Sequence, residues 1–96
     1  MISRYSRIRE TLEAAFSPSS LEIVDESAKH ARHAALKNLP AGETHFHVVM
    51  VSAAFTGQSR VVRARAVHQA LDAEFKTGLH ALSLNLAAPL EKAAGS

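Results

Sequence analysis

The chain has 96 residues, 47% of them hydrophobic and 21% charged, which suits one small globular domain and excludes a disordered or fibrous chain. Cysteine is absent, which excludes disulfides, thiolate zinc sites, thiol catalysis and iron–sulfur ligation by the chain's own sulfur. Eleven Lys+Arg against nine Asp+Glu leave a net charge of +2, too small for a heavily basic nucleic-acid binder even though the pI is near 9.4.

Residues 1–47 carry six basic and six acidic side chains, and residues 48–96 carry five and three, so the second half is mildly basic. No apolar run approaches the roughly 20 residues of a membrane-spanning helix. Met1-Ile2-Ser3-Arg4-Tyr5 lacks the apolar stretch of an export signal, and a cytoplasmic protein is expected.

Residues 3–16 read as an amphipathic helix capped by Ser3, with Tyr5, Ile8, Leu12, Ala15 and Phe16 on its apolar face. Ser17-Pro18-Ser19-Ser20 stops it, because proline cannot continue the hydrogen-bond ladder. Residues 21–26 alternate like a half-buried strand. Residues 27–42 turn small and polar and read as a long loop, with room for a helical turn or two over 28–39. A loop of that length in a small domain is often functional.

Residues 45–52 form the clearest strand. Phe46, Val48 and Met50 share one face, and His45, His47, Val49 and Val51 share the other. Residues 53–57 make a tight apolar turn around Phe55. A helix over 59–76 follows, capped by Ser59, with Val67, Leu71 and Phe75 in register and Gly78 at the left-handed C-terminal cap. Residues 80–86 read as a third strand with Leu82, Leu84 and Leu86 on one face, and 89–94 as a short frayed helix.

The order α-β-β-α-β-α predicts an α+β fold, a two-layer sandwich with a three-stranded mixed sheet and helices on one face, in a single domain over residues 1–96. The first two strands pair as a hairpin, and the third joins one of them in parallel by a right-handed crossover.

Histidine is the chemistry-bearing residue type here. A neutral imidazole ligates zinc, iron or copper. His30 and His33 stand three apart in the long loop, close enough to share a metal if that stretch is helical, or else solvated. His80 has the parity of Leu82, which puts it at the rim of the apolar face, as a ligand or as a cap on the preceding turn. His45 and His47 line the opposite, solvated sheet face. Asp25-Glu26-Ser27 beside His30 contains acid, nucleophile and base but lacks a nucleophile-elbow context, and the isolated glycines form no phosphate-cradling loop. Catalysis is not expected. Arg60, Arg63 and Arg65 cluster at the start of the second long helix without forming one stripe, and with Lys76 they offer phosphate contacts.

Taken together, Leu21 to Ser27, His30, Gly42-Glu43-Thr44-His45-Phe46, Val51-Ser52, Phe55-x-Gly57, Arg63-x-Arg65-x-Val67 and His80-Ala81-Leu82-Ser83 resemble the BolA proteins over about residues 5–86. The resemblance implies a fold like the class II K-homology (KH) domain. It implies a monothiol glutaredoxin as partner and a [2Fe–2S] cluster shared with glutaredoxin and glutathione, which give sulfur while this chain gives histidine nitrogen. By position His80 is the first ligand and His30 or His33 the second, with no cluster held tightly by the chain alone. Similar proteins are DNA-binding transcriptional regulators, which makes Arg60, Arg63, Arg65 and Lys76 the alternative site. One departure is clear: the family's Arg-His-Arg is Arg63-Ala64-Arg65 here. A homodimer is a further expectation.

Overall fold

The structure is a computed structural model that describes residues 3–26 and 44–91. Its elements are helix α1 (Arg4–Phe16), strand β1 (Ser20–Asp25), strand β2 (His45–Val51), a 3-10 turn (Ala53–Phe55), helix α2 (Arg60–Ala70), helix α3 (Asp72–Lys76) and strand β3 (Ala81–Ala87). The sheet order is β1-β2-β3. β1 pairs antiparallel with β2, with Ile23 opposite Val48, and β3 pairs parallel to β2, with Phe46 opposite Leu82. This is the expected mixed three-stranded α+β architecture.

Alternation on β2 decides which face is covered. Phe46, Val48 and Met50 are fully buried and join Ile8 and Leu12 of α1, Ile23 of β1, and Val67 and Leu71 into one core. Burial of each such side chain stabilises the fold by about 1.5–3 kcal/mol. Leu82, Leu84 and Leu86 pack against this core from β3. His45, His47, Val49 and Val51 stay half-buried on the outer face, as their parity requires.

Local signals set the helix ends. The Ser3 hydroxyl accepts from the Ser6 N–H, and the Ser59 hydroxyl accepts from the Val62 N–H, as N-caps do. Ser17 closes α1 in the left-handed region (φ 44°), its N–H donating to the Glu13 carbonyl, and Pro18 follows. The Ser52 hydroxyl accepts from the Ala54 N–H and donates to the Phe16 carbonyl at 2.6 Å, tying the 3-10 turn to the end of α1.

Four expectations are corrected. On α1, Tyr5 and Ala15 face solvent, and the inward row is Arg4, Ile8, Leu12 and Phe16. The helix expected over 59–76 breaks at Leu71 (φ −102°, ψ 15°), which keeps its side chain in the core while the backbone turns. Thr77, not Gly78, caps α3, and Gly78 takes φ 127°, beyond the left-handed helical well and suited to glycine alone. Of the short helix expected over 89–94, Pro89 and Leu90 form a turn, and 92–94 lie outside the described residues.

Candidate functional site

The topology gathers three chain segments at one end of the sheet. β1 arrives there at Asp25, β2 starts there at His45, and β3, parallel to β2, starts beside it at Ala81. Glu26 and Thr44, the described residues that flank segment 27–43 in the sequence, lie at this same end. The expected ligands His30 and His33 belong to that segment and lie outside the described residues. His80 immediately precedes β3, so its backbone is fixed at this end.

The backbone contacts centre on Thr44 and His45. The Thr44 carbonyl accepts from both the His80 N–H (2.8 Å) and the Ala81 N–H (3.1 Å). The His45 carbonyl accepts from the Glu26 N–H at 2.7 Å. The His45 and His80 rings lie nearly parallel, 6.0 Å between centroids and 9° between planes, and the Thr44 hydroxyl meets His45 Nδ1 at 2.9 Å. The His80 ring is exposed, and among the described residues no hydrogen bond reaches its nitrogens.

His80 does not share the apolar face of Leu82: it is exposed, with its ring beside that of His45. The strand pleat begins at Ala81, whereas Leu79 is the buried residue (4% exposed) that seats the approach to β3. His80 therefore projects beside His45 and not at the apolar rim. Nor does its side chain cap the preceding turn, since among the described residues no hydrogen bond reaches its ring nitrogens, and its backbone N–H goes to the Thr44 carbonyl. Periodicity within 45–51 put His45 on a solvated face but could not show which residue of a strand 35 positions away would meet it. His47 pairs outward with Ser83, Nδ1 to Oγ at 2.7 Å. His68 stacks on Phe75 at 5.0 Å, on α2 and α3 and not on the sheet.

The turn that delivers His80 is braced by a partly buried ion network. Arg4 Nη1 donates to Glu74 Oε1 at 2.7 Å, to the Glu74 carbonyl and to Thr77 Oγ1, and Arg4 Nη2 donates to the Thr77 carbonyl at 2.9 Å. Arg7 binds the Glu74 carboxylate in bidentate fashion at 2.9 and 3.0 Å. The hydrogen bond from Arg7 is the main cause holding the Glu74 carboxyl below its ordinary range. Burial opposes this, and the charges of both arginines add to it. The Glu74 carbonyl accepts from the Leu79 N–H at 2.9 Å. Gly78 leaves room for the same arginine, since a Cβ there would sit 3.0 Å from Arg4 Nη2.

The candidate phosphate contacts do not form one surface. Arg63 is corrected to a structural residue. It is 8% exposed, donates to the Gln58 and Leu86 carbonyls, grips Glu91 through two 2.7 Å bonds, and lies over the Phe55 ring. The Glu91 carboxyl is lowered to about 2 by the Arg63 hydrogen bond, helped by the Ala88 N–H. Lys76 pairs with Asp72 at 2.8 Å. Arg60 and Arg65 remain exposed. Among the described residues no three His, Asp or Glu side chains cluster as a metal site, and no helix is long and apolar enough to cross a membrane.

The model of the BolA-like protein family matches residues 12–91. Protein BOLA1, chloroplastic, of Arabidopsis thaliana is 45% identical over 93% of this chain and 56% of its own length. SufE-like protein 1, chloroplastic/mitochondrial, of the same plant is 47% identical over 93% of this chain and 24% of its own length, so the chain spans about half and about a quarter of these two relatives. The DNA-binding transcriptional regulator BolA of Escherichia coli is 48% identical over 82% of this chain and 70% of its own length. Among solved structures, BolA1 from Arabidopsis thaliana superposes with a TM-score of 0.86 at 43% identity, covering 96% of this chain and 98% of that one. The BolA domain of SufE1 from the same plant gives 0.83 at 44%, covering 96% and 99%. The chain belongs to the BolA-like protein family.

Proposed function

We propose that the chain is a non-enzymatic adaptor in iron–sulfur cluster assembly or trafficking, joining a monothiol glutaredoxin in a heterodimer that shares a [2Fe–2S] cluster. The observation that carries this reading is the exposed His80 ring, with no hydrogen-bond partner among the described residues, fixed at the sheet end where segment 27–43 is rooted. The donor set fits such a role. A chain without cysteine supplies nitrogen but no thiolate, so a cluster touching it takes its sulfur from glutaredoxin and glutathione. His80 is the first ligand and His30 or His33 the second. Two imidazoles leave most of a cluster's positions open, so the isolated chain holds none tightly.

Anaerobic reconstitution with a monothiol glutaredoxin and glutathione, read by visible absorption and circular dichroism, tests this. The expected result is a mixed-ligand spectrum for the wild type that His80→Ala abolishes while leaving thermal unfolding unchanged. An identical spectrum in the variant refutes it.

A second reading, a DNA-binding regulator, draws on the printed name of the Escherichia coli relative. Here it rests on Arg60, Arg65 and the exposed Lys76, because Arg63 is buried against Glu91. Such binding loses affinity steeply with salt, with a slope set by the number of phosphates contacted. Three such cations predict a shallow slope.

A further inference from the structure

We propose that His45 is a positioning residue for His80, its ring serving as a flat stop that fixes the exposed imidazole in one orientation. The inference rests on the reading that His80 is a cluster ligand. An exposed side chain preceding a strand ordinarily samples several rotamers. At His80 two restraints coincide. Its backbone N–H and that of Ala81 converge on the Thr44 carbonyl, at 2.8 and 3.1 Å, which fixes the Cα–Cβ direction. The His45 ring then lies within 9° of parallel to the His80 ring, with 6.0 Å between centroids, which closes one side to it.

His45 is itself held. Its Nδ1 meets the Thr44 hydroxyl at 2.9 Å, and its carbonyl accepts from the Glu26 N–H at 2.7 Å. Thr44-His45 thus forms a node that fixes the Glu26 root of segment 27–43 and the start of β3 together. A ligand whose orientation is set before binding loses less rotamer freedom on binding, and partners behind a metal-ligating histidine tune affinity in this way. The stacking face, not a ring nitrogen, is what His45 supplies, so any flat aromatic ring at position 45 serves.

Two variants separate this from the alternatives. His45→Ala removes the face, while His45→Phe keeps the face and removes both nitrogens. In the glutaredoxin heterodimer, His45→Ala is expected to lose cluster about two- to tenfold faster than wild type, the range of a single ring pair, and His45→Phe to lose it at the wild-type rate. If His45→Phe is as impaired as His45→Ala, a nitrogen of His45 is what matters and the positioning role is overturned.

The second readout needs no cluster. In proton–carbon spectra of the isolated chain, assigned with His80→Ala, the His80 ring signals shift in His45→Ala and return towards their wild-type positions in His45→Phe, with thermal unfolding unchanged in both. Unmoved His80 signals in His45→Ala overturn the positioning role. Moved signals in a chain that takes up no cluster with glutaredoxin keep the positioning and overturn the ligand reading.

Discussion

Glu74→Gln removes one negative charge from the network that braces the turn before His80, with almost no change in shape. Three side-chain bonds reach the carboxylate, one from Arg4 at 2.7 Å and two from Arg7 at 2.9 and 3.0 Å. The two arginines are not equivalent. Arg7 is 43% exposed, so water and salt screen it, and its share is at most about 1 kcal/mol. Arg4 is 13% exposed, and its Nε is buried without a partner, so its charge depends on the bonds at Nη1 and Nη2. Breaking a buried pair costs about 3–5 kcal/mol, but Arg4 keeps the Glu74 and Thr77 carbonyls and the Thr77 hydroxyl, so about 1–2 kcal/mol is the appropriate share. The sum is about 1–3 kcal/mol, which for a domain of this size lowers the melting temperature by roughly 4–24 °C.

Thermal unfolding by circular dichroism at pH 7 measures the shift, and a double-mutant cycle with Arg7→Ala apportions it. Because the folded-state pKa of Glu74 is lowered, its contribution is complete above the unfolded value of about 4.3. It is lost as the pH falls through the lower folded value. Wild type and Glu74→Gln therefore converge in stability as the solution is acidified below that point. A melting shift under about 3 °C at pH 7, or a difference that persists unchanged into acid, would refute the reasoning.

Other consequences are as direct. Carbon-detected titration should place the Glu91 carboxyl near 2 in the wild type and closer to the ordinary carboxylate range in Arg63→Ala, where the bond from the Ala88 N–H remains. The Arg63–Glu91 tie is thus intact above about 4.3 and released in acid as the pH falls towards 2. Arg63→Ala should also lower the melting temperature, since it leaves the Gln58 and Leu86 carbonyls and the Phe55 face without their partner. Loss of DNA affinity without loss of stability would show that Arg63 does contact phosphate. His80→Ala should leave the melting temperature within about 4 °C, because an exposed side chain away from packing changes stability by under about 0.5 kcal/mol. A larger drop would make His80 structural. Gly78→Ala should destabilise by more than about 1 kcal/mol, as it combines φ 127° with a 3.0 Å approach to Arg4, and a neutral melt would contradict that geometry.

Much of the fold is written in short-range patterns. The alternation over Phe46, Val48 and Met50 sets which sheet face is covered, and Ser3, Ser17-Pro18 and Ser59 mark helix ends by local hydrogen bonding. What local patterns miss is long-range polar pairing. Arg4 occupies an inward position on α1 because its partner Glu74 lies 70 residues away, and Arg63 is buried because Glu91 lies 28 residues away. Nothing near either arginine in the sequence announces its partner. The break at Leu71 has no glycine or proline to announce it. His80 was legible as a residue of interest from the family resemblance, but its neighbour was not. Its true placement depends on Leu79 entering the core and on the parallel register of His45 with Ala81, which no spacing within one strand reveals.

The proposed adaptor role requires a nitrogen of this chain, at His80, to bind the iron of a shared cluster. Pulsed electron paramagnetic resonance on the reduced heterodimer tests it most directly, with the chain alone labelled with nitrogen-15 histidine and the glutaredoxin unlabelled. The expected result is a nitrogen-15 hyperfine coupling of a directly bound imidazole, lost or altered in His80→Ala. A cluster that shows no nitrogen-15 coupling, or one indifferent to His80→Ala, would contradict it.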